Sequence, residues 1–300
     1  MRLPKSIAVL TWMSLALLQG CSTSKSLDDS TGTAGATGAA GGAGDAGASN
    51  PEQCTPPGFH VDAAATQVDE VQAVLHDQNG AEVPRLPIQI CGTDTCTYDF
   101  SDAKGKVDSS PNVPLILPAF KFGDGTDYAE LAIPITKAKQ DLGAVVALLF
   151  PSYADGALFP KSGSVTNGDL TLFIDKDTSV VHEVLNYQDD SQLVFRTVSI
   201  PVADSAQVLD SSFGFELAYA VAPLGSTFCP PARLSLKNAL NWDAGTAVEV
   251  FIQGLNADEG WAPYRTWVKV ADANVSADAS SIDTTSGGIP VLSSIAVRRK

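Results

Sequence analysis

Histidine is scarce in this 300-residue chain: His60, His76 and His182 are the only three, and they stand far apart. So few and so scattered imidazoles argue against a multi-histidine metal centre. His182-Glu183 opens like a zinc helix, but Asn186 occupies the place of the second ligand. No serine lies in a G-x-S-x-G elbow; "SGSVTNG" around Ser164 comes nearest and fails on spacing. Cations are also few, 19 Lys and Arg against 34 Asp and Glu. Nucleic acid and anionic lipid surfaces require clustered cations, so neither is expected as a partner. The basic ending Val297-Arg298-Arg299-Lys300 reads as a solvated terminus. Eighteen scattered prolines leave little room for long helices. The apolar run Ile7–Leu18 falls short of the roughly 20 residues that span a bilayer as a helix.

What is present begins with an address. Arg2 and Lys5 precede that apolar run, which ends in Leu18-Gln19-Gly20-Cys21 and then turns polar. The length suits a secretory signal. The ending resembles the lipobox of bacterial lipoproteins, in which the cysteine is acylated and heads the mature chain. That resemblance implies a signal peptide over residues 1–20 and a lipid anchor on Cys21, with the bilayer as a partner. Ser22, where an aspartate would imply inner-membrane retention, implies the outer membrane, on its periplasmic or its surface side. The alternative is an ordinary signal peptide cut further on. Residues 22–50 hold 23 Gly, Ala, Ser or Thr among 29, with Leu27 the one large apolar group. Such a stretch cannot bury enough surface to offset its ordering entropy, so residues 21–53 read as a flexible tether. Without the signal peptide the count is 17 cations against 34 acids, a formal −17.

Four cysteines remain for an oxidising compartment: Cys54, Cys91, Cys96 and Cys229. "CGTDTC" places Cys91 and Cys96 around turn residues, so the expected pairs are Cys91–Cys96 and Cys54–Cys229. The folded region then has period-2 alternation in "DLTLFID", "FELAYAV" and "AVEVFIQ", with turns at Asn79-Gly80 and Asn167-Gly168. This pattern predicts an all-β fold of two antiparallel β-sandwich domains, over residues 54–155 and 156–300. "KAKQDLGAVVALLF" reads as strand or short helix, with strand favoured.

Each half also carries a resemblance. Asp77–Gly80 with Pro84, followed by Ser101-Asp102-Ala103-Lys104-Gly105, resembles the prealbumin-like regulatory sandwich attached to carboxypeptidases. "NGDLTLFIDKDTSV" and "YAVAPLGSTFCPPARLSL", with Pro223, Gly225, Phe228 and Pro231, resemble the sandwich domain of ankyrins and netrin receptors. "WAPYRTWVKV" would be a following strand. The combination resembles lipoproteins of myxobacterial type. In eukaryotic relatives the second domain binds protein partners, and neither family pattern carries a catalytic residue.

Two side-chain groups have chemical content. Asp124, Asp127 and Glu130 in "FGDGTDYAE" are closely spaced acids with glycine, the candidates for a structural calcium. "DKD" (Asp175, Asp177) and "YQDD" (Asp189, Asp190) are further acidic turns. Trp242, Trp261, Tyr264 and Trp267 crowd the last third, either as core or as an exposed ligand face that stacks on sugar rings. The expectation is a non-enzymatic, lipid-anchored envelope protein serving as a protein-interaction or structural module for a partner of unknown identity. The alternative is a carbohydrate- or calcium-dependent binding module, or an auxiliary to a surface enzyme. Mass spectrometry of native material is expected to find the sulfur of Cys21 acylated; an unmodified sulfur there overturns the anchor.

Overall fold

The structure, a computed structural model, describes residues 54–59, 61–182, 190–256 and 260–300. The signal peptide, Cys21, the tether and the His182-Glu183 motif beyond its histidine lie outside the described residues, as does Asp189. The fold is all-β, and the one α-helix among the described residues is the single turn α1 (Ala206–Leu209). None of the described helices is long and apolar enough to cross a membrane.

Nine strands form the first half: β1 (Ala65–Val68), β2 (Glu70–Asp77), β3 (Pro87–Cys91), β4 (Cys96–Phe100), β5 (Lys106–Ser109), β6 (Val113–Ile116), β7 (Ala119–Phe122), β8 (Leu131–Pro134) and β9 (Lys139–Ala147). They make a sheet β5-β2-β9, a sheet β4-β3-β7-β8 and a β1-β6 ribbon. Alternation sends Val71, Ala73 and Leu75 of β2 into one core with Ile88 and Ile90 of β3 and Phe120 and Phe122 of β7. The stretch "KAKQDLGAVVALLF" is strand β9, and it runs parallel to β2, the exception to the antiparallel pattern. A parallel pair needs a long crossover, here everything between the two strands.

The Asp-x-x-Gly turns share one construction. Asp77 Oδ1 accepts from the N–H groups of Asn79 (2.8 Å) and Ala81 (2.9 Å). Asp102 Oδ1 accepts from Lys104 and Lys106, both at 2.8 Å. These bonds, that from Ala81 and that from Lys106 foremost, hold both carboxyls below their ordinary range. Gly105 follows in the left-handed region, and a Cβ there would collide with the Leu75 carbonyl.

The second half contains β10 (Ala157–Leu158), β11 (Gly163–Asn167), β12 (Leu170–Ile174), β13 (Ser179–Val181), β14 (Val194–Ser199), β15 (Leu217–Ala222), β16 (Thr227–Lys237), β17 (Ala247–Gln253), β18 (Trp267–Val275), β19 (Ser281–Gly287), β20 (Ile289–Val291) and β21 (Ile295–Arg299). Their pairing runs β10-β14-β15-β21-β17-β18-β19-β16-β12-β11, with β13 and β20 also on β16. The path folds around a core that includes Leu170, Leu172, Leu234, Val250, Ile252 and Val297.

The two halves share a layer. Tyr219, Val221, Val250, Ile252, Ile295 and Val297 face the second core. The alternate residues of the same strands, Ala218, Ala220, Phe251 and Ala296, belong to the first core with Phe120 and Leu131. Strands β15, β17 and β21 are therefore buried on both faces. Their small alanines let the first half approach closely, and Phe215, Phe251 and Trp267 fill the space beside them.

Buried polar groups bolt this seam. Arg196, only 2% exposed, donates to the carbonyls of Thr126 (2.7 Å) and Pro151 (3.2 Å). Its guanidinium lies 3.8 Å from the Tyr153 ring centroid. Arg196→Ala leaves both carbonyls without a partner and is expected to cost about 3 kcal/mol, read as an earlier urea midpoint at unchanged slope. A loss below about 0.5 kcal/mol would show that the seam does not depend on it.

Candidate binding groove

The loop between β17 and β18 turns back on itself. Gly254 N–H donates to the Thr266 carbonyl (2.9 Å), and Arg265 N–H donates to Gly254 (2.7 Å). Only glycine fits at 254, because a Cβ would collide with the Pro263 carbonyl. Ala262 and Tyr264 point inward and anchor the loop, which leaves Trp261 at its outer side. "WAPYRTW" is thus a loop ending where β18 begins at Trp267, and not a strand throughout.

Trp261 forms one wall of a groove of about 550 Å³. A second wall is the chain entering the fold, Thr55, Pro57 and Phe59. Pro230, Pro231 and Arg233 of β16 lie along a third side, and Val268 and Val270 of β18 supply apolar surface. Arg233 pairs with Asp175 at 3.2 Å, and both line the groove. Lys269, also lining it, reaches Asp272 (2.7 Å) and Glu249 (3.3 Å). The Asp272 bond, with Glu249 adding to it, raises the Lys269 ammonium above its ordinary range. Burial pushes Glu249 up, but hydrogen bonds from Arg298 and Lys269 outweigh it and leave that carboxyl low. The groove thus offers an aromatic side chain beside the exposed Arg233–Asp175 pair and the Lys269 ammonium.

The four aromatic candidates are dispersed. Trp242 is buried in the second core, with Arg299 over its ring at 5.4 Å. Trp267 is buried in the first, edge-on to Phe215 at 4.9 Å, with Nε1 donating to the Val208 carbonyl. Tyr264 is buried too, its hydroxyl donating to the Cys91 carbonyl at 3.4 Å, and burial raises its pKa. Trp261 lines the groove and is the one of the four that is not fully buried. A shared ligand face of all four is therefore not formed: alternation along a chain end says which residues share a side, not which side is wet.

The calcium candidates do not converge either. Asp124 Oδ1 accepts from Thr126 (2.8 Å) and Tyr128 (2.9 Å), repeating the turn device at Asp77. Glu130 is held by Lys121 at 2.7 Å, and Asp127 is exposed. Among the described residues no group of three or more His, Cys, Asp and Glu is placed to hold a metal. The disulfides join Cys54 to Cys229 and Cys91 to Cys96.

One pair had no signal in the sequence: His182 Nδ1 lies 2.8 Å from Ser226 Oγ, across 44 residues. Ser226 is fully buried, and its Oγ also lies 3.1 Å from the Pro223 carbonyl. Which of His182 and Ser226 donates to the other is set by the imidazole tautomer. Trp261→Ala, at a residue partly buried against the second core, should cost about 1–2 kcal/mol, whereas Trp267→Ala should cost about 3–5 kcal/mol by calorimetry. Equal losses would place Trp261 in the core.

No family model matches the chain, and no curated protein matches it. Among solved structures, a Bacteroides uniformis protein provisionally described as carbohydrate binding aligns with 56% of this chain and 88% of its own length. The identity is 12% and the TM-score 0.17, and at that score the likeness carries no argument about fold or ligand.

Proposed function

We propose that this chain is a lipid-anchored protein of the bacterial envelope that works by binding and not by catalysis, with a saccharide held against Trp261. Acylated Cys21 fastens it to the outer membrane, and residues 21–53 space the folded body from the bilayer. The observation that carries the ligand reading is the groove. An indole face beside the Asp175–Arg233 pair matches a sugar ring, which is apolar on its axial C–H face and rimmed by hydroxyls.

A protein partner is the second reading, and one observation favours it. Among the described strands β4 pairs only with β3, which leaves its other backbone edge open within them. On that strand Tyr98 is 74% exposed and Phe100 63%. Large aromatics on an open edge are a surface to which a partner's strand can add.

A glycan array probed with the chain from Gly47 onward separates the two. The cores lie entirely within that span. Saccharide binding that Trp261→Ala abolishes supports the groove reading. A blank array, together with a partner whose capture depends on Tyr98 and Phe100, overturns it in favour of the second.

A further inference from the structure

The chain enters the fold as a strap, residues 54–59 and 61–63, and two cavities meet along it, with a third beyond the second. The groove at Trp261 shares Phe59 with a second cavity of about 320 Å³, which also touches Val61, Leu117 and Tyr264. That cavity shares Thr93 and Tyr264 with a third of about 270 Å³, whose wall includes Gln89, Lys121 and Asn256. Shared lining residues thus link the three in series, first to second and second to third. The strap lines the first two and not the third. It is tied by the Cys54–Cys229 disulfide and by Gly58 N–H donating to the Gly260 carbonyl at 3.2 Å. Phe59 and Val61 along it are 40% and 44% exposed, high for side chains of this kind.

The charges along the track select the ligand class. Its cations are Arg233, Lys269 and Lys121, and each faces a carboxylate: Asp175 at 3.2 Å, Asp272 at 2.7 Å and Glu130 at 2.7 Å. Lys121 also donates to Asn256 Oδ1 at 3.2 Å. Of these carboxylates Asp175 itself lines a cavity, so the Arg233–Asp175 pair presents a donor and an acceptor side by side, which suits adjacent hydroxyls. Such pairs hold no spare positive charge for an anion, and a chain of formal charge −15 repels one from a distance. Aromatic surface recurs at Trp261, Phe59 and Tyr264, from one cavity to the next.

We propose that these three cavities form one track for an uncharged oligosaccharide longer than a disaccharide, with the strap pinned by Cys54–Cys229 as the wall of the first two. This rests on reading the Trp261 groove as a saccharide site. Length is the discriminating variable, because each cavity entered adds contacts that a shorter ligand never reaches.

The test is isothermal titration calorimetry of the chain from Gly47 onward. The probes are neutral gluco-, manno-, xylo- and chito-oligosaccharides of two and five units, with oligogalacturonate as the anionic counterpart. In the series that binds, the pentamer should bind roughly tenfold or more tightly than the dimer. Gln89→Ala combined with Asn256→Ala should erase that gain and leave the dimer unchanged. Phe59→Ala reads the strap on an exposed side chain without touching the disulfide, and should weaken the pentamer by about tenfold, a loss on the scale of one or two ligand contacts. Equal affinity for dimer and pentamer overturns the track while leaving the groove as a short site. No binding by any neutral series overturns the groove reading itself. Tighter binding of oligogalacturonate overturns the assignment of an uncharged ligand.

Discussion

Strands β15, β17 and β21 are buried on both faces over most of their length, and the rest of the molecule is arranged around that constraint. A sheet with one wet face needs one apolar side; these strands need two. The chain meets the requirement asymmetrically. Large β-branched and aromatic groups such as Val250, Ile252 and Tyr219 fill the second core, while Ala218, Ala220 and Ala296 keep the opposite face thin. Burying each large side chain contributes on the order of 2 kcal/mol, so the seam stabilises the body far more than any surface ion pair, typically worth less than about 1 kcal/mol.

Such a seam traps backbone carbonyls at the ends of elements, and each needs a donor. Long side chains supply them. Arg196 serves Thr126 and Pro151, and Arg265 serves Pro118 (3.0 Å) and Ile135 (3.3 Å). Gln207 serves Leu142 at 3.0 Å, and Gln253 reaches toward both Ala132 and Val208. The same docking sets the β3–β4 turn and Lys121 of β7 beside Asn256. The proposed track thus draws on both halves, with Gln89 and Lys121 from the first and Arg233 and Val268 from the second.

The abundance of acid has a local explanation. Asp77, Asp102 and Asp124 each accept N–H groups two and four residues ahead, and Asp141, Asp210 and Asp278 each accept one two residues ahead. In a protein of many short strands, every reversal leaves N–H groups that a short carboxylate side chain can satisfy. Asp175 and Glu130 take up arginine and lysine instead. Acid spacing along a loop is therefore a turn signal here.

Local periodicity was enough to reveal strand character, because period-2 alternation in segments such as "DLTLFID" follows from backbone geometry whatever surrounds it. Turn positions at Asn79-Gly80 and Asn167-Gly168 were legible for the same reason, since residues needing left-handed backbone are few. The parallel run of β9 beside β2 was not legible, because direction depends on a crossover and not on the strand's own residues. Nor was the double burial of β15, β17 and β21, whose alanines look neutral until a second half lies against them. Among Trp242, Trp261, Tyr264 and Trp267 the chemistry is nearly the same and the fates differ. Residue type sets what a side chain could do; packing across the seam decided which one of the four meets solvent, because exposure is a property of neighbours far away in the chain.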